Sequence, residues 1–137
     1  MLLKRTRVLL ADDHEAMLDR VEGLLEKDFQ VVGTARDGQA AIEAVAELRP
    51  DVLILDISMP VLSGLQAALR LKEMKSEVRI VFLTVHEDPD FAREALATGA
   101  LGFVVKPRLV TDLPVAIKEV LAGRSFVSPS IPLEDID

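Results

Sequence analysis

Five short apolar runs constrain this chain more than any other feature: Val8 to Ala11, Gln30 to Gly33, Val52 to Leu55, Ile80 to Leu83, and Phe103 to Val105. Four of them are continuous rather than alternating, the pattern of strands buried on both faces of a parallel sheet. The second is mixed, which suits an edge strand. Between the runs lie segments with helical spacing. Met17, Val21, Leu24 and Leu25 make one stripe, and Ala41, Ile42, Val45 and Leu48 a second. Leu62, Leu65 and Leu69 make a third, and Phe91, Ala95 and Leu96 a fourth. Leu113, Ala116, Ile117, Val120 and Leu121 make the last.

The punctuation fits this alternation. Asp37-Gly38 can open the second helix and Pro50 stops it. Gly99 and Gly123 stand where left-handed caps would end the fourth and fifth helices. Thr111 is a candidate N-cap for the fifth helix, with Pro114 tolerated in its first turn. Strand then helix, five times over, predicts an α/β fold: an open, doubly wound parallel sheet with helices on both sides. Residues 1–123 form the expected domain. From 124 to 137, Ser128-Pro129-Ser130 and the acidic end at Glu134, Asp135 and Asp137 read as a linker or C-terminal tail.

A length of 137 residues fits one domain with one core. Half the residues are hydrophobic but only 4% are aromatic, so that core must be aliphatic. With no cysteine, disulfides and thiolate metal sites are excluded. The formal net charge of −7 disfavours direct nucleic-acid binding. The basic start, Met1 to Arg7, precedes an apolar run too short for a signal peptide or membrane span. These features lead to the expectation of a soluble, cytoplasmic chain.

Ligands of open parallel sheets bind outside the carboxyl ends of the strands, where strand order reverses. The first strand ends in Asp12 and Asp13, the third in Asp56, the fourth in Thr84 and the fifth in Lys106. Three carboxylates at one rim repel one another unless a cation neutralises them. An all-oxygen donor set favours a hard divalent ion such as Mg²⁺, with Asp13 and Asp56 as direct ligands and Asp12 on a bound water. A carboxylate can also attack a phosphoryl group, with the metal, the Thr84 hydroxyl and Lys106 neutralising charge on its oxygens. Each residue has a plainer reading as well. An Asp can cap a helix or begin a turn, Thr84 can be an ordinary strand residue, and Lys106 a surface lysine.

Taken in order, LLADDHEAM, VLILDISMPVLSGLQAA, IVFLTVHED and LGFVVKP resemble the receiver domain of two-component response regulators, from about residue 5 to residue 122. The resemblance implies a flavodoxin-like sheet in the order 2-1-3-4-5. It implies that Asp56 is phosphorylated from a histidine kinase, that Asp12, Asp13, Asp56 and the main-chain carbonyl of Ser58 hold Mg²⁺, and that Thr84 and Lys106 contact the phosphoryl group. It further implies a cis Lys106-Pro107 bond, which proline makes accessible. Thr84 and Phe103 would act as switch residues, while Ser58 and His86 tune dephosphorylation. Phe103 can equally be a core residue, and it lacks a tyrosine's hydroxyl. His86 can be a solvated loop residue, and His14 receives no chemistry.

The wording ADDH, ISMP and GRSFVSP resembles the subgroup in which a helix-turn-helix DNA-binding domain follows the receiver. The expected function is a phosphorelay switch catalysing only its own phosphotransfer and dephosphorylation. It would signal, through dimerisation or an effector, from the face made by the fourth helix, fifth strand and fifth helix. The enzyme-class rival is an aspartate-nucleophile phosphatase or phosphotransferase. Those usually carry a second Asp two residues after the nucleophile, where this chain has Ser58. A third reading, an interaction scaffold with a degenerate site, is opposed by the complete set of acid pair, Asp, Thr and Lys.

Overall fold

The alternation seen in the sequence is realised as strand and helix in strict succession. The computed structural model describes residues 5–132. In chain order the elements are β1 (Arg7–Ala11), α1 (Glu15–Leu25), β2 (Gln30–Ala35), α2 (Gly38–Leu48), β3 (Val52–Leu55), α3 (Gly64–Glu73), β4 (Arg79–Thr84), α4 (Pro89–Ala97), β5 (Gly102–Val105), a 3-10 turn (Lys106–Arg108), α5 (Leu109–Leu121) and β6 (Phe126–Val127). The sheet is parallel throughout, in the order β2-β1-β3-β4-β5-β6. The expected order of the first five strands is found, and a sixth strand extends it.

The continuous apolar strands split their side chains between two cores, as the period of two requires. Leu9, Leu53, Leu55, Phe82, Phe103 and Val105 face the side holding Ala41, Val45, Ala67, Leu71, Ala92 and Ala95 of α2, α3 and α4. Val8, Leu10, Ile54, Val81, Leu83 and Val104 face the side holding Leu18, Val21, Leu113 and Ile117 of α1 and α5. Because β1 leads outward to β2 and then returns inward to β3, strand order reverses between β1 and β3. That reversal opens a crevice at the carboxyl ends of the strands.

Helix ends follow the sequence in most places. Asp37 caps α2 by accepting from the Ala40 amide, and Gly99 and Gly123 take positive φ after α4 and α5. Two details differ. α3 buries Ala67, Ala68 and Leu71, leaving Leu69 exposed, because the small alanines let the helix sit close to the sheet. α5 begins at Leu109 rather than after Thr111, so Pro114 lies inside the helix. The 3-10 turn feeds directly into α5, and a new N-cap is therefore unnecessary.

Among the described residues every peptide bond is trans, so the expected cis Lys106-Pro107 bond is not found. Pro107 instead lies in the first positions of the 3-10 turn, where its fixed φ suits the helical backbone.

The expected linker is also partly structured. Phe126 and Val127 pair in parallel with Gly102 and Phe103, and Ser128 and Ile131 are buried. Two short residues of strand carry little periodic signal, and tertiary contact holds them. The Ser128 amide donates to the Phe103 carbonyl at 2.9 Å, and its hydroxyl accepts from the Val105 amide at 3.1 Å. The hydroxyl thus takes the place of the ladder carbonyl that so short a strand does not reach far enough to supply. A buried amide left unpaired there would cost about 1–3 kcal/mol. Residues 133–137, with the acidic end, lie outside the described residues, as do residues 1–4 of the basic start.

Candidate phosphoacceptor site

Backbone pairing carries the acidic side chains to the rim. The Asp12 amide donates to the Ala35 carbonyl and the Asp56 amide to the Ala11 carbonyl, each at 3.0 Å, so both residues sit one step beyond their strands. The loop after Asp56 folds back beneath it. The Gly64 amide donates to the Ile57 carbonyl at 2.7 Å, and a Cβ on residue 64 would lie 1.9 Å from the Asp56 carbonyl oxygen. Only glycine allows α3 to start this close to the end of β3.

At the rim, the Lys106 ammonium lies 2.8 Å from Asp12 Oδ2 and 3.4 Å from Asp56 Oδ2. All three side chains are buried. Carboxylate or imidazole atoms of Asp12, Asp13, His14 and Asp56 lie within 4.8 Å of one another. Desolvation raises the Asp56 pKa above its ordinary value. Lys106 opposes that rise, and the neighbouring Asp12 charge adds to it. One ammonium therefore serves two buried carboxylates with a third, Asp13, alongside. A site with this excess of hard oxygen donors fits a small divalent cation such as Mg²⁺.

The plain reading of the acid pair as helix caps is not observed. α1 has His14 at its N-cap with no side-chain cap bond, and Asp12 Oδ1 instead accepts from the His14 amide at 2.9 Å. His14 Nδ1 lies 3.1 Å from Asp12 Oδ1 and 3.2 Å from Asp13 Oδ1.

Thr84 closes β4 beside Val105 of β5, fully buried, with its hydroxyl accepting from the His86 amide at 3.2 Å. Ser58 and His86 meet across the rim, Ser58 Oγ to His86 Nε2 at 3.2 Å, and the imidazole stacks on Phe91 with centroids 4.3 Å apart. The sequence separates these partners by 28 residues, and only the shared rim of β3 and β4 reveals the contact. Phe103 has no exposed surface and packs in the core beside Phe82. A further buried acid, Asp112 of α5, was absent from the sequence expectations. It accepts from Arg108 Nε and Nη2 at 2.8 and 3.2 Å and from the Ser128 hydroxyl at 2.8 Å.

This fold and rim coincide with a match to the response regulator receiver domain over residues 8–118, and the chain belongs to that family. It is 40% identical over 119 residues to a putative transcriptional regulator of Pseudomonas aeruginosa, covering 86% of this chain and 58% of that protein. It is 35% identical over 127 residues to the response regulator GacA of Pseudomonas viridiflava, covering 91% and 59%. The chain thus spans less than two thirds of the curated relatives it matches. Among solved structures, a LuxR-family two-component response regulator from Aurantimonas superposes with a TM-score of 0.89 at 32% identity, covering 93% of both chains. The receiver domain of the putative response regulator NarL from Mycobacterium tuberculosis gives 0.85 at 32% identity, covering 89% of this chain and 100% of that one.

Proposed function

We propose that this chain is the phosphoacceptor module of a two-component switch, with Asp56 receiving the phosphoryl group from the phosphohistidine of a histidine kinase. The observation that carries this reading is the single buried Lys106 ammonium shared by Asp12 and Asp56 at the strand-order reversal. An Asp56 oxygen attacks phosphorus as the bond to the donor nitrogen breaks, leaving an acyl phosphate on Asp56 and the imidazole as leaving group. Lys106 stabilises charge on the phosphoryl oxygens, and the Thr84 hydroxyl turns toward them. Asp12, Asp13, Asp56 and the Ser58 carbonyl would hold Mg²⁺, which when bound supplies further charge neutralisation.

The Ser58–His86 pair stands at the mouth of the site and governs access of water to the acyl phosphate. Movement of Thr84 and Phe103 then biases the outer face of α4, β5 and α5 between two states. Because β6 lies along the outer edge of β5, that face includes β6 in this chain. Dimerisation or docking of an output domain is the consequence we assign to the change. A related structure, 30% identical with a TM-score of 0.85 and covering 93% of this chain and 66% of that one, shows two RcsB dimers bound to two DNAs. A DNA-binding output, supplied by residues other than these, is therefore the reading we favour. We place the switch in the cytoplasm; among the described residues no helix is long and apolar enough to cross a membrane.

Incubation with acetyl phosphate and Mg²⁺ is expected to add one phosphoryl mass, lost on chelation of the metal and absent in Asp56→Asn. Labelling that persists in Asp56→Asn refutes the assignment. Sustained turnover of p-nitrophenyl phosphate would instead favour the phosphatase class, but Ser58 engages His86 and offers no second carboxylate for it.

A further inference from the structure

Lys106 is flanked on both sides by residues tied to the same pair of partners. Before it, the Val105 amide donates to Ser128 Oγ at 3.1 Å. After it, Arg108 donates twice to Asp112, at 2.8 and 3.2 Å. The two partners join each other, the Ser128 hydroxyl donating to Asp112 Oδ2 at 2.8 Å. The result is a closed ring running Val105, Lys106, Pro107, Arg108, Asp112, Ser128 and back to Val105. Ser128 and Asp112 are buried, so water does not compete freely for these bonds.

The same ring fastens the segment after α5. Ser128 donates its amide to Phe103 and accepts from the Ile131 amide at 3.0 Å, and Ile131 packs in the core with Phe103 and Val105. Residues 126–131 are thus bonded to the strand that ends at the lysine of the phosphoryl site.

We infer that Ser128 and Asp112 are positioning residues for Lys106, and that their ring couples the phosphoryl site to the segment 126–131. The inference rests on the phosphoacceptor reading above. Neither residue touches the reacting atoms. Both act by fixing the backbone from which the Lys106 side chain reaches Asp12 and Asp56. Coupling through a shared element is reciprocal in binding free energy. A ligand on Asp56 that draws on Lys106 therefore alters how firmly residues 126–131 are held. Loosening those residues alters how well the site binds that ligand.

The test compares the full chain with Ser128→Ala and Ser128→Thr. The rate of phosphoryl mass gain from saturating acetyl phosphate with Mg²⁺ is expected to fall about fivefold in Ser128→Ala and to return to within about twofold of the parent in Ser128→Thr, which keeps the hydroxyl. Hydrogen exchange gives the reciprocal reading. Beryllofluoride with Mg²⁺ should change protection of the Phe126, Val127 and Ser128 amides in the parent chain, and this response should vanish in Ser128→Ala. Merely structural loosening would raise exchange at the segment in all conditions without removing its response to beryllofluoride. Asp112→Asn provides a second route to the same outcome if Ser128→Ala does not fold. Equal labelling rates in all variants, with exchange at 126–128 unmoved by beryllofluoride, overturn the inference. Absence of any mass gain in the parent chain overturns the phosphoacceptor reading itself.

Discussion

Two buried carboxylates, Asp56 after β3 and Asp112 in α5, face different company. Asp112 accepts two bonds from Arg108 and one from Ser128, and its hydrogen bonds hold the Arg108 guanidinium further above its usual pKa. Asp56 shares one ammonium, at 3.4 Å, with Asp12 and has its own pKa raised, chiefly by burial. Similar burial therefore has opposite meanings. Where partners saturate the acid it fastens the fold. Where they fall short, the acid is left with unsatisfied charge, the state that the proposed phosphoacceptor role requires. On the proposed reading, a shortage of positive charge marks the site better than burial alone.

The largest expected effect separates the two acids outright. Asp56→Asn should lose all phosphoryl labelling, whereas Asp112→Asn should still label, more slowly, when followed by intact-mass spectrometry. Labelling lost in both would erase the distinction. Next in size, Mg²⁺ at about 100 times its Kd should stabilise the parent chain by about 2.7 kcal/mol in urea unfolding. The gain should be much smaller in Asp56→Asn and unchanged in Asp112→Asn. Third, Asp112→Ala should destabilise the metal-free chain by about 1–3 kcal/mol, since it strands the Ser128 hydroxyl. Asp56→Asn should act with the opposite sign, raising the thermal midpoint by a few degrees as a costly buried charge is removed.

The smallest effect is a pH dependence. Burial raises the Asp56 pKa, so the native chain holds this proton more tightly than the unfolded chain does. The associated stability is fully present below the ordinary carboxylate value and is lost as pH rises through the raised one. A metal-free urea series should show this loss in the parent and not in Asp56→Asn. Identical profiles would mean that burial does not strain this acid.

What the sequence disclosed followed the same division. Strand ends are legible because a continuous apolar run stops abruptly at Asp12, Asp56, Thr84 or Lys106. The rim could therefore be assembled from residue order and the topology of parallel sheets. The Asp112–Ser128 contact spans 16 residues and joins α5 to the residue just after a two-residue strand. The apolar stripe that reveals α5 carries no information about this polar contact, and the short strand has no periodicity of its own. Thr111 looked like an N-cap because its residue type suits one, yet the turn at Lys106–Arg108 had already begun the helical path. Leu69 looked buried because apolar spacing does not reveal which of two stripes meets the sheet, and the smaller alanines fit more closely.

The sixth strand also affects how these molecules behave in a crowd. An uncovered β5 would present a row of free amides and carbonyls, a template on which a neighbouring chain could stack. The segment that covers it offers only two residues of strand and then turns away through Pro129, which has no N–H to donate. Growth of the sheet in that direction is thereby halted, so the edge beyond β5 is shielded from self-templated aggregation.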